Sequence, residues 1–173
     1  MIRFSLLLLA VFVMALFSAC GLDVVEFSVV EEGLVGMAGV NVPGLGNFGS
    51  SLDNALSDQG VDPGDVDSMR VLTGSLEMTT QGGLTKDLSF FEKLEFNLGA
   101  DGMQPTRLAL AAQPIAAGTK HVDLDVDSRL DLKPYLDAGN MLVDVDAMLN
   151  PLPPDAVGIK LIFKVRVDVN VIK

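Results

Sequence analysis

The carboxy-terminal segment constrains the fold most. Ile159, Leu161, Phe163, Val165, Val167, Val169 and Val171 share odd parity, while Lys160, Lys164, Arg166, Asp168 and Asn170 fill even positions, interrupted only by Ile162 and Ile172. A period of two sends successive side chains to opposite faces, so the segment reads as a β-strand with one apolar and one wet face. The pattern recurs at 121–127, where Val122, Leu124 and Val126 alternate with Asp123, Asp125 and Asp127. It recurs again at 142–149, with Val143, Val145 and Ala147 against Asp144 and Asp146.

Weaker versions fill most of the remaining chain. The run 24–30 is apolar and β-branched and reads as the first strand. At 69–79, Leu72, Leu76 and Met78 share one parity, and Gln81, Gly82 and Gly83 mark the turn that follows. Leu94, Phe96 and Leu98 alternate with charged or amide residues, but Phe91 and Glu92 break the parity upstream, which predicts a bulge or a helical turn there. Leu108 and Leu110 mark a short strand. Between them, Leu52, Ala55 and Leu56 have helical spacing, with Ser50 or Ser51 as a cap and Gly60 as the stop, which predicts one short helix over 50–59. Asp62, Pro63 and Gly64 then predict a turn.

Seven or eight strands separated by Gly and Pro turns, with so little helix, predict an all-β fold: an antiparallel β-sandwich that resembles immunoglobulin-like or jelly-roll domains. The strand order stays open. Nothing in the pattern calls for a parallel α/β sheet.

The amino terminus carries a different signal. No charge occurs from Phe4 to Leu22, and Arg3 supplies positive charge just before that run. Its length would permit a spanning helix of roughly 17–25 residues. It ends, however, in Leu16, Phe17, Ser18, Ala19, Cys20 and Gly21. Small residues leading into a cysteine resemble the lipobox of bacterial lipoproteins, with Phe17 standing where that motif usually has leucine. The resemblance covers about the first twenty-one residues. It implies a signal helix over 1–19, lipidation of Cys20, a short tether over 20–23 and a single domain over 24–173. It also implies attachment to the bacterial cell envelope through acyl chains, and Gly21, in place of a retaining aspartate, favours the outer membrane. Cys20 is the only cysteine in the chain, so it has no intramolecular disulfide partner. An uncleaved helix with a chance cysteine is the competing reading.

Without residues 1–19 the chain has 23 acidic and 11 basic residues, a formal charge of −12. Affinity for phosphate backbones rests on basic residues, so nucleic acid is excluded as an expected partner. Anionic headgroups would repel such a domain too, leaving acyl chains to hold it at a membrane.

Candidate chemistry is sparse. Gly44, Gly46 and Gly49 spell G-x-G-x-x-G, but Pro43 interrupts the preceding strand and no parallel βαβ unit follows, so the motif reads as a flexible glycine loop. Asp123, Asp125 and Asp127 begin like a calcium loop, yet Ser128 stands where the loop needs glycine and Pro134 where it needs a bidentate glutamate. Alternation instead sets all three on one wet face, where a neighbouring strand carrying Lys160, Lys164 and Arg166 would neutralise them. His121 is the only histidine, which removes His clusters for zinc and weakens any Ser-His arrangement. No cofactor is expected. Trp is absent and Tyr135 is the sole tyrosine, so aromatic platforms for sugars are missing.

The functional expectation is a non-enzymatic structural or protein-interaction module with an envelope protein as partner. Its expected contact surface lies in the apolar, glycine-rich stretch 33–49, at Leu34, Val35, Met37, Val40, Leu45 and Phe48, and along exposed sheet edges. Alternatively the stretch folds back over the sheet. A carrier of a small apolar ligand between two sheets is the second functional reading, and it requires a continuous apolar cavity.

Overall fold

A computed structural model describes residues 22–36, 38–79, 85 and 87–170. The elements are β1 (Leu22–Gly36), β2 (Gly39–Asn41), a 3-10 turn (Pro43–Asn47), α1 (Phe48–Asp58), a second 3-10 turn (Pro63–Asp65), β3 (Val66–Met78), β4 (Phe91–Gly99), β5 (Thr106–Ala111), β6 (His121–Val126), α2 (Lys133–Ala138), β7 (Leu142–Leu149) and β8 (Val157–Asn170). The all-β expectation holds, and every described ladder is antiparallel.

The eight strands are hydrogen-bonded in the single order β2-β1-β8-β3-β6-β5-β4-β7. The two ends of this order come near each other without pairing: β2 lies near β7, and the 3-10 turn at Pro43–Asn47 packs against both β1 and β7. Helix α1 stands beside this approach. Gly49 N–H donates to the Met141 carbonyl just before β7 at 3.0 Å, and Ser51 Oγ donates to Glu31 Oε1 of β1 at 2.6 Å. Phe48, Leu52 and Leu56, spaced four apart, turn one stripe of α1 into the core.

β8 runs between β1 and β3 and organises the interior. All its odd residues from Val157 to Val169 are buried, as the alternation requires. Phe163 is fully buried and meets two rings edge-on: Phe48 of α1 at 5.9 Å and Phe96 of β4 at 6.0 Å. Gly74 of β3 makes room for it, because a Cβ there would lie 2.9 Å from the Phe163 ring.

Several sequence expectations need correction. α1 begins at Phe48, two residues before the expected start, and neither serine caps it: Asn47 holds the N-cap position without a side-chain bond, and Ser51 reaches Glu31 instead. The stop at Gly60 and the turn at Asp62 stand, the latter with Asp62 Oδ1 accepting from Gly64 N–H at 2.8 Å. In β3 a register shift between Val71 and Thr73 changes the inward parity, so Met69 and Val71 face the core before it and Gly74 and Leu76 after it. Leu72 falls at the irregularity and is not core. The expected break near Phe91 is both a turn, with Phe91 N–H donating to Leu88 O at 3.2 Å, and a register shift before Lys93. α2 was not expected. Its six residues are too few to display a period, and Tyr135 anchors it by donating to Thr106 Oγ1 at 2.7 Å.

Candidate functional site

The longest strand margin that no described strand pairs is that of β1; the outer margin of β7, the other end of the order, is likewise unpaired over its eight residues. Fourteen consecutive residue pairs join β1 to β8 without a shift, whereas β2 pairs only with residues 34–36. The margin of β1 over 22–33 that faces away from β8 is therefore paired by no described strand. It contains neither proline nor bulge, although α1 and the 3-10 turn pack against the same strand, with Ser51 Oγ bonded to Glu31 and Gly44 close to that carboxylate. Val25 and Phe27 point inward and are only half-buried, although their partners Val167 and Val165 on β8 are fully buried. Half-burial of inward residues is what an unclosed edge produces.

On the outward face of β1, Val24 is 45% exposed, Val30 46% and Leu34 57%. Glu26 lies among them, and Lys164 of β8 compensates it, with Nζ 2.6 Å from its carboxylate. Where β1 meets β2, Glu32, Leu34, Asn41, Pro43, Thr79 and Ile159 help to line a cleft of about 350 Å³. A second cleft, of about 210 Å³, lies where α1 starts, between Asn47, Ser50, Asp53 and the residues around Asn140. Both are surface features.

Of the contact residues expected from sequence, Val35, Leu45 and Phe48 are buried and are not a surface of the folded chain. Val40 is half-buried, Leu34 is exposed, and Met37 lies outside the described residues. The stretch folds back because Gly33 permits it: a Cβ there would lie 2.4 Å from the Asn41 carbonyl oxygen, so only glycine lets the returning chain lie this close. Gly44 and Gly46 sit in the 3-10 turn and Gly49 in the first turn of α1. The G-x-G-x-x-G stretch is thus ordered turn and helix start, not a flexible loop.

The acidic strand is also placed differently. Asp123 and Asp125 share the outward parity of β6 and Asp127 follows its end, but β3 separates that strand from basic β8, so Lys160, Lys164 and Arg166 are not its cross-strand neighbours. Asp127 accepts from Arg129 N–H at 3.1 Å and Nε–H at 3.2 Å, the first contact contributing most to holding its carboxyl below the ordinary range. Asp123 engages His121. Among the described residues no group of three or more metal-ligating side chains converges.

His121 lies between two carboxylates, its Nε2 3.1 Å from Asp123 Oδ1 and its Nδ1 3.3 Å from Glu77 Oε1. The Asp123 contact is the larger cause of a raised imidazole pKa, opposed by desolvation and reinforced by Glu77. Protonation is favoured in the fold, so its contribution to stability is present below the unfolded value of about 6.5 and is lost as pH rises through the raised folded value. In an NMR titration the His121 midpoint should lie above that of a histidine in a model peptide. Asp123→Asn should lower it. A midpoint unmoved by that change would show that the Asp123 contact does not form.

Cys20 and the expected signal helix lie outside the described residues, which open with β1 at Leu22. Among the described residues no helix is long and apolar enough to cross a membrane. Comparisons with protein-family models, with curated proteins and with solved structures return no match.

Proposed function

We propose that this chain is a lipid-anchored, non-enzymatic protein-interaction module of the bacterial cell envelope, and that the free margin of β1 is where it meets its partner. The observation that carries this reading is the run 22–33, a regular strand margin that no described strand pairs, starting two residues after Cys20. Such a margin presents backbone donors and acceptors to any extended segment, and neighbouring pockets supply side-chain selectivity. The cleft beside Leu34 lies at the far end of the same strand.

We read the curled sheet as a barrel-like wall left open between β1 and β7, with α1 beside the opening. The return of the strand series on itself favours this over two facing layers. A non-enzymatic role is in keeping with the position of His121, which is exposed at the start of β6 and lines neither of the two clefts described above. An interior filled by Phe48, Phe96 and Phe163 weighs against carriage of an apolar ligand.

The test is intact mass measurement of protein extracted from membranes in mild detergent, together with identification of what copurifies. The expected result is a chain starting at Cys20 with acyl mass added and a stoichiometric protein companion, either a second copy or another chain. A mature mass without acyl chains would overturn the anchor. A purely monomeric species without a companion would overturn the interaction role.

A further inference from the structure

We infer that the margin of β1 pairs with the same margin of a second copy of this chain, antiparallel, about a two-fold axis at Phe27. This rests on the reading of β1 as the contact strand and is independent of the anchor.

A two-fold interface must be complementary to itself, and the sequence of β1 is. With Phe27 on the axis, Val24 faces Val30 of the second copy, Val25 faces Val29, Glu26 faces Ser28, and Phe27 faces its own counterpart. Apolar residues oppose apolar ones and no like charges are directly opposed over 24–30, which is the arrangement that favours cross-strand pairs. The single charge of this block on the outward face, Glu26, already has Lys164 of its own chain at 2.6 Å. The favourable block ends where Asp23 would oppose Glu31, so seven residues of each copy form its centre.

The exposure pattern fits the same axis. Val24 and Val30, the two outward residues that this register brings together, are 45% and 46% exposed in the single chain. Phe27, on the axis, points inward and is half-buried, as is Val25. Pairing would cover all of them and extend the sheet of one copy into that of the other. A different strand added to β1 would also cover them. Self-pairing explains in addition why the apolar positions are symmetric about one residue.

The register gives a sharp test. Val24→Cys and Val30→Cys are prepared as separately tagged full-length chains, coexpressed, extracted in mild detergent and exposed to a mild oxidant. Directly opposed positions in an antiparallel pair bring Cα atoms about 4.5–5.5 Å apart, within disulfide reach. Two copies of position 24 would instead be six residues apart along the strand, about 20 Å. The mixed pair should form a disulfide-linked dimer at least tenfold more efficiently than either variant alone, after subtraction of any dimer that the unsubstituted protein forms through Cys20. Val24→Lys/Val30→Lys, which opposes like charges at exposed positions, should move the detergent-extracted protein from dimer to monomer with an unchanged circular dichroism spectrum. Equal cross-linking by the mixed pair and the single variants would overturn the register. Absence of any β1 cross-link would overturn the pairing, and cross-linking to a different protein would overturn the second copy while leaving β1 as the contact strand.

Discussion

Phe163→Ala should destabilise the fold by about 3–5 kcal/mol, the range for removing a fully buried aromatic ring. The ring is buried completely, packs edge-on against Phe48 and Phe96, and fills the space left by Gly74. One side chain on β8 thereby joins β3, β4 and α1. The neighbours cannot collapse into the vacancy easily, because Phe48 is fixed by a helix tied at Gly49 to Met141, just before β7, and Phe96 sits in a ladder with β5 and β7. Against a total stability of about 5–15 kcal/mol for a domain of this kind, the loss is large. Urea unfolding should show a lower midpoint with an unchanged slope. A loss under about 1 kcal/mol would mean that the three rings do not share one core.

Cys20→Ala should abolish membrane attachment of the mature chain. A single acyl chain binds reversibly and weakly, and stable anchoring takes two signals. Here the second signal cannot be electrostatic, since the chain from Cys20 onward carries a formal charge of −12. On the proposed lipidation of Cys20, removing the thiol removes the attachment point of the anchor. The expected outcome in cell fractionation is loss of the processed, membrane-bound form, either as soluble protein or as precursor that keeps residues 1–19. Unchanged membrane fractionation together with normal processing would contradict the anchor.

Much of the sheet was legible because alternation is a local property. β6, β7 and β8 follow their period of two to within a residue or two of the expected ends. Where local pattern is ambiguous, the reading failed. In β3, Val71 and Leu72 are both apolar, so nothing in the sequence marks the register shift that turns one inward and leaves the other aside. β1 runs on to Gly36, past the expected end at Val30, because pairing with β8 holds Glu31, Glu32 and Gly33 extended despite their polarity and flexibility.

The candidate site was less legible, because it depends on contacts distant in sequence. Apolar residues among glycines suggested an exposed surface, but close approach at Gly33 folds Val35 and Val42 inward. The neighbour of acidic β6 could not be read either, since strand order is set by long-range pairing and β3 intervenes. The free margin of β1 left one trace in the sequence: apolar residues on both parities from Val24 to Val30, with no consistently polar face.

The most direct test of β1 as the contact strand is residue-resolved hydrogen exchange over 22–33, in the assembled protein and after dilution to its dissociated form. In a strand paired on one side, alternate amides bond to the neighbour and the rest face away. The dissociated protein should therefore show alternating slow and fast exchange along β1, and assembly should slow the fast set. Uniform protection in the dissociated form, or fast amides that assembly leaves unchanged, would contradict the account.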